Sequence, residues 1–482
     1  MRLPEGVRRY LIHLLERDAA ERAQATAELD ALAEAAKGHA ARPLPDTLRG
    51  WLNDATGQMR WKRARPVAAK ELADHLSDQY EAFLDEGMDE DAAAEATARE
   101  MGDAVETGTR LDRAWRPRPD WVMLGIVLLV AAVGKVAQYL LGLDSASQAP
   151  IRAETQVVIY LYGVACLLIG YFLDYTIFGW HCKLLYTLWC VVGLLMAFGP
   201  LQRIQSGANF YLRQWVWFVP VLFAGVLYSQ RGKGTAGIRN CLLSMIGLWF
   251  FTMFAPSTAA LCVLTTVCCG LLFAAVWRGA FGKRTRGRLV LSLLPVLLIA
   301  AYAVYLFCSY AEAREQIYLF FNPFLDPSGN GWQGVMARSF MFGQPSEQGQ
   351  GVMAMWWTDA VVDWLLMSTK IDFGWLVVLF LLGLEVLFLL WGFRLARRQT
   401  GLLARSVCMG VMLTFALQTA LYVLQNFGFM LLSAYGLPLL SYGGNYLFQS
   451  MFLLGVLLSA QRTGRLESGL APRVSRVSEV GK

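Results

Sequence analysis

From residue 121 onward the chain alternates long apolar runs with short polar gaps. A helix needs about 20 apolar residues to cross hydrocarbon. Runs of that order fall at 121–143, 155–174, 180–199, 214–230, 238–254, 257–277, 289–308, 374–393, 404–430 and 445–460. This pattern predicts ten transmembrane helices. Within "FAPSTAAL", Pro256 and Ser257 are expected to separate two of them by a very short loop. The first 120 residues read differently. They are dense in Arg, Glu, Asp and Ala, and Leu72, His75, Leu76, Tyr80, Phe83 and Leu84 recur at helical spacing. Gly87 suits a left-handed helix end, Asp89 a cap for the next helix, and "EMGDAVE" a second turn. The expected fold is all-α: a small soluble helical bundle over 1–120, then a polytopic membrane domain over 121–462. Residues 309–362 would form its one large external loop, and 463–482 a tail.

Composition agrees with the pattern. Hydrophobic residues make up 56% of the chain, above the 45–50% or so of soluble domains. Charge fixes an orientation. Arg231, Lys233 and Arg239 mark one gap; Arg278, Lys283, Arg284, Arg286 and Arg288 a second; Arg394, Arg397, Arg398 and Arg405 a third. Arg462, Arg465, Arg473, Arg476 and Lys482 follow the last run, whereas the alternate short gaps hold only Arg152, Arg203 and Arg213. Basic loops stay on the cytoplasmic side, so both termini are expected there. The opening "MRLPEGVRRYLIHLLERDAAERAQ" has neither an uninterrupted apolar stretch nor a small-residue cleavage site, so no cleaved signal peptide is expected. The nine cysteines lie in or beside apolar runs without metal or redox spacing, and read as small membrane residues. Only four histidines occur, three of them before residue 121, which argues against a histidine metal site. No pattern points to nucleic acid.

Between the last two runs stands "GLPLLSYGGNY", residues 436–446. Gly and Pro free the backbone from helical geometry, and non-helical backbone at membrane depth is tolerated only when buried or lining a cavity. Ser441, Tyr442 and Asn445 would supply polar groups to such a cavity; taken alone, the stretch reads equally well as an interhelical turn. Three other stretches accompany it: "FFNPFLDPSGNGWQ" at 320–333, "SGANFYLR" at 206–213, and "DWLLMSTKIDFGWLVVLFLLGLEVLFLLWGFRLARR" at 363–398. Together with "QNFGF" ahead of the corner, they resemble the SEDS family of FtsW, RodA and SpoVE proteins over residues 121–460. The departures are specific. A Pro-Phe pair common in the family's corner is missing, Trp332 stands for a Tyr, and Val361-Val362 for a His-Thr. "FVPVL" keeps only Pro220 of a Gln-Pro-Ser-Glu element, and "APSTA" is the remnant of a Pro-Asp-x-Gly-Thr element; the "QPSE" at 344–347 lies in the wrong loop. Residues 70–115 resemble the permease-prefix helical modules that precede some membrane proteins of Gram-positive bacteria. They read as a docking or regulatory module, or as a plain helical appendage.

The resemblance implies a peptidoglycan glycosyltransferase that polymerises lipid II outside the cytoplasmic membrane, usually with a class B penicillin-binding protein. Other divisome or elongasome proteins would dock through the N-terminal domain. By the family's spacing to Phe373-Gly374 the functional acid falls on Asp363, with Asp359 its rival. A carboxylate there would act as general base on the attacking sugar hydroxyl, an effect of about 10²–10⁴ in rate; Asp363 also reads as a helix cap. Arg213 and Arg203 would balance the diphosphate charge. Asp326, Gln333, Ser441, Tyr442, Gly443, Gly444 and Asn445 would line the substrate side. The resemblance implies no certain cofactor; a divalent cation such as Mg2+ is compatible. Lys135 and Glu385 sit inside spans, where ionisable groups are costly and mark function by default; they read as a pair, as cavity-facing groups, or as packing groups. Two other readings stay open: a lipid-linked precursor flippase or permease, and a catalytically silent scaffold.

Overall fold

The computed structural model describes residues 44–117, 119–143, 153–205, 208–255, 257–283, 285–343, 364–432, 436–441 and 444–464. The chain forms two compact units, Met1–Arg116 and Pro117–Lys482.

In the first unit, α1 (Asp46–Gly57), α2 (Arg65–Asp85), α3 (Glu90–Met101) and α4 (Ala104–Trp115) surround a small core of Leu48, Leu76, Tyr80, Ala93 and Ala94. The four-residue spacing of Ala68, Leu72, Leu76 and Tyr80 gives α2 one buried stripe. Gly87 follows α2 at φ +90°, where a Cβ would be strained. Asp89 holds the cap position of α3 without a side-chain bond. Asp103 does cap α4, accepting from the Glu106 N–H at 2.8 Å. Gly108 brings α4 onto the backbone of α1, because a Cβ there would stand 2.1 Å from the Ala55 carbonyl oxygen.

Among the described residues of the second unit, eight segments are long and apolar enough to cross a membrane. They are α5 (Trp121–Leu143), α6 (Ala153–Phe172), the continuous Phe210–Ser229, α11 (Gly234–Phe254), α12 (Thr258–Trp277), α13 (Arg286–Ser309), α17 (Trp375–Arg398) and α18 (Leu402–Asn426). Phe210–Ser229 comprises α9 (Phe210–Trp215), a 3-10 turn and α10 (Val219–Ser229). The short α7 (Thr176–Trp180) precedes α8 (Cys182–Phe198). The two remaining predicted runs are also helical: α8, with 17 residues, and α19 (Gly444–Thr463), which carries Gln449, Gln461 and Arg462. Ser257 divides α11 from α12 as expected, its hydroxyl accepting from the Ala260 N–H at 3.2 Å. The strands β1 (Ile204–Gln205) and β2 (Ala208–Asn209) form one two-residue antiparallel pair, with Ile204 opposite Asn209.

Burial sorts these helices. Of the most apolar window of α12, 67% is buried, against 11% in α13. The first is therefore a central helix, and the second presents Val290, Leu297, Tyr302 and Tyr305 outward, as lipid contact allows. The most extensive helix pairing is α6 with α19. A Cβ at Gly170 would meet the Phe452 carbonyl at 2.4 Å, and one at Gly455 the Leu167 carbonyl at 2.3 Å. Small residues are how helices approach when lipid offers no hydrophobic drive. Between spans seven and eight lies a layer of α14 (Ala311–Phe321), a 3-10 turn (Pro323–Leu325), α15 (Trp332–Phe342) and α16 (Leu365–Phe373). Gly374, at φ +78°, breaks the chain between α16 and α17. Position 363 thus precedes a separate nine-residue helix, and the cap position of that helix is Trp364.

Candidate functional site

The corner is built on α5. Leu437, Leu439, Leu440 and Ser441 are all buried. The Ser441 hydroxyl accepts from the Leu437 N–H at 2.6 Å, and the Ser441 N–H donates to the Leu437 carbonyl at 3.0 Å. The Leu440 N–H reaches back to the Pro438 carbonyl at 2.8 Å around Leu439, whose φ is +63°. That is the γ-turn of positive φ, a rare and strained form. Leu439 is the only non-glycine at positive φ among the described residues, and strain of this kind persists where surrounding contacts enforce it. Those contacts come from α5. The Gln138 amide donates to the Leu440 carbonyl, and a Cβ at Gly134 would stand 2.8 Å from the Leu440 Cα.

The layer formed by residues 311–343 and 364–373 is fastened to the end of α18 by side chains that take up backbone groups. The Tyr422 hydroxyl accepts from the Leu365 N–H at 2.8 Å, and Asn426 Oδ1 from the Met367 N–H at 3.2 Å. These satisfy donors that the first turn of α16 would otherwise leave open. Arg338 donates to the carbonyls of Phe320 and Phe321, each at 3.0 Å, and its guanidinium lies 4.6 Å from the Phe429 ring centre. Burial lowers the Arg338 pKa from the ordinary guanidinium value. Lys370 donates to the Phe340 carbonyl at 2.6 Å and closes the far end of α15.

Within this layer Asp326 shapes a turn. Its two carboxylate oxygens accept from the N–H groups of Gly329 at 3.0 Å and Asn330 at 2.8 Å. The turn delivers Asn330, Gly331 and Gln333 to a half-open cavity of about 200 Å³, bordered by Gln316 and Leu319 of α14 and by Met430, Leu431 and Leu432 after α18. Gly331 and Gly334 allow the close approach, since their Cβ atoms would meet the Pro323 carbonyl at 2.3 Å and the Pro323 ring at 2.8 Å.

The expected residues divide accordingly. Gln333 lines the cavity, Asp326 supports it, and Ser441 closes the corner. Arg203 lies beside Phe210 and Tyr211, donating to the Tyr211 hydroxyl at 3.4 Å. Arg213 is on α9, which Asn209 caps through the Leu212 N–H at 3.2 Å and which touches α19. Gly444 and Asn445 lie in the first turn of α19. Asp359, Asp363, Tyr442 and Gly443 lie outside the described residues. Lys135 and Glu385 are not paired with each other. Lys135 donates to Gln138 Oε1 at 2.8 Å, while one oxygen of the fully buried Glu385 accepts from Thr419 at 2.9 Å and the other has no hydrogen-bond partner. No group of three His, Cys, Asp or Glu able to hold a metal occurs among the described residues. Sequence reading missed Gln138, Tyr422, Arg338 and Lys370. Gln138 had one signal, its i+3 spacing from an intramembrane lysine, and Asn426 stood inside the quoted "QNFGF".

Many apolar spans, a buried irregular corner and a capped layer between spans seven and eight define a multi-pass membrane protein of the SEDS fold. The chain belongs to the FtsW/RodA/SpoVE family, described as cell cycle proteins, whose model matches residues 120–466. The probable peptidoglycan glycosyltransferase FtsW of Trichlorobacter lovleyi is 26% identical over 230 residues, 47% of this chain and 58% of that protein. The match thus spans less than two thirds of that relative. Stage V sporulation protein E of Bacillus subtilis is 23% identical over 376 residues, 72% of this chain and 98% of that protein. A chain solved in work on structural coordination of polymerization and crosslinking by a peptidoglycan synthase complex has the same fold. Its TM-score is 0.56 at 20% identity, over 72% of this chain and 98% of that one.

Proposed function

We propose that this protein is a peptidoglycan glycosyltransferase polymerising lipid II at the outer face of the bacterial cytoplasmic membrane, in division, elongation or sporulation. The observation that carries the reading is the family match across the whole membrane unit, among relatives named as peptidoglycan glycosyltransferases. Both termini are cytoplasmic, as the basic gaps favour, and the layer formed by residues 311–343 and 364–373 is external. Residues 1–120 dock further divisome or elongasome proteins, residues 463–482 are a cytoplasmic tail, and a class B penicillin-binding protein is the partner.

In this reaction the acceptor hydroxyl forms a bond to the anomeric carbon of the donor. Its proton passes to Asp363, and the bond to undecaprenyl diphosphate breaks. Arg213, with Arg203, offsets the charge of the leaving diphosphate. The strained, buried corner and the turn held by Asp326 support this reading, because both fix backbone beside polar side chains. A transporter would depend more on Lys135 and Glu385 than on an external carboxylate; each of the two has a different hydrogen-bond partner.

The test is lipid II polymerisation by the purified full chain, with and without a class B penicillin-binding protein. Asp363→Asn should insert normally and lose about 10²-fold or more of the rate, and Asp359→Asn should lose less. An inactive parent in the presence of its partner would end the proposal. A cysteine at Ser328 that resists labelling from outside would reverse the orientation.

A further inference from the structure

The cavity beside α14 and α15 has an unusual lining. Gln316, Asn330 and Gln333 contribute three carboxamides, Leu319 and Met430 an aliphatic wall, and no charged side chain among the described residues lines it. Two nearby charges are engaged elsewhere: the Asp326 carboxylate holds the turn, and Arg338 holds the carbonyls of Phe320 and Phe321. Each carboxamide offers two donors and an acceptor, so the lining matches a neutral ligand rich in both. Among the described residues, no cation lines the cavity to meet a diphosphate. The volume, about 200 Å³, is that of roughly seven waters at about 30 Å³ each, enough for one sugar ring and too little for a lipid chain.

We propose that this cavity is a subsite for one N-acetylated sugar ring of the glycan, separate from the place where the diphosphate is held. The acetamido group and ring hydroxyls bond to Gln316, Asn330 and Gln333, and the ring's C–H face lies on Leu319 and Met430. The identity of the glycan rests on the polymerase reading; the preference for a neutral amide-bearing ring rests on the lining alone. Met430–Leu432 border the cavity and Leu432 lies four residues before Gly436, so an occupied subsite sits next to the start of the corner in sequence.

The probe is a soluble tetramer of β-1,4-linked N-acetylglucosamine, titrated into the intact chain in detergent and read by saturation-transfer NMR and calorimetry. The parent should bind it more tightly than it binds the glucose tetramer, which lacks the acetamido groups. Gln316→Leu and Gln333→Leu should each weaken binding about three- to tenfold at an unchanged unfolding temperature, since both side chains are exposed. Inorganic pyrophosphate should not displace the sugar. Equal binding by parent and variants, displacement by pyrophosphate, or no binding to the folded parent would each overturn the subsite. Sugar binding without lipid II polymerisation supports the subsite and removes the activity. Polymerisation without sugar binding does the reverse.

Discussion

The two units of this chain solve the same problem, holding helices together, in different solvents. In the N-terminal unit charged side chains meet one another on the helix surface, as in Arg110 with Glu106, Arg99 with Glu95 and Arg49 with Asp46. In the membrane unit Lys135 and Glu385 have side-chain partners, but several other polar side chains reach for backbone. Tyr422 and Asn426 take N–H groups of α16, Arg338 and Lys370 take carbonyls, and Gln138 takes the carbonyl of Leu440. Where α6 meets α19, Arg462 donates to the Tyr171 carbonyl at 3.2 Å, and glycines let backbone touch backbone. Water satisfies an open backbone group at little cost and screens charge, so surface ion pairs contribute little. Lipid does neither, so each irregular backbone segment needs a dedicated partner.

The comparison can be broken most severely at the α6–α19 seam. Gly455→Leu places a side chain where the Leu167 carbonyl already stands, and should cost about 3 kcal/mol or more. The yield of monodisperse protein in detergent would fall sharply at any salt concentration. Gly134→Val presses on the corner at Leu440 and should cost about 1–3 kcal/mol; polymerising activity would be lost while membrane insertion persists. Tyr422→Phe leaves the Leu365 N–H without its acceptor, a loss of about 1–3 kcal/mol. Hydrogen exchange at residues 365–368 should accelerate while the α6–α19 seam stays protected.

In the N-terminal unit the sharpest effect is one of pH. Burial raises the pKa of Asp112, but the hydrogen bond from Arg116, the N–H of Arg60 and the charges of both arginines outweigh it, and the net value lies below the ordinary one. A depressed pKa in the folded state means stability that is present above the unfolded value, about 3.9, and is lost as pH falls through the folded value. Limited proteolysis of this unit should therefore quicken below about pH 4, and Asp112→Asn should weaken that dependence. Arg110→Ala is expected to change the unit's stability by only about 0.3–0.5 kcal/mol, read by the same proteolysis at pH 7. A larger loss would mean that surface ion pairs matter more to this unit than water should allow.

Much of the fold was legible along the chain. All ten apolar runs became helices, Ser257 divided two of them, and Gly87 and Asp103 mark helix ends in the N-terminal unit. These features are local: a run of apolar residues, a hydroxyl three residues ahead of an N–H, and a glycine at positive φ each act within a turn or two. "GLPLLSYGGNY" was also legible as irregular. Its left-handed residue could not be read, since it is Leu439, a residue that sequence rules place anywhere but there.

Only the tertiary structure decided how the site is assembled. Gln138 and Leu440 are 302 residues apart, and Tyr422 meets an N–H 57 residues away; no periodicity encodes either contact. Helix α16 likewise turned a loop's approach to a span into a separate element, through one glycine and two side chains from another helix. The sequence by itself determined which segments leave water, because transfer from water to hydrocarbon is summed residue by residue. It did not determine which backbone groups would need partners inside, because that depends on which distant helices arrive beside them.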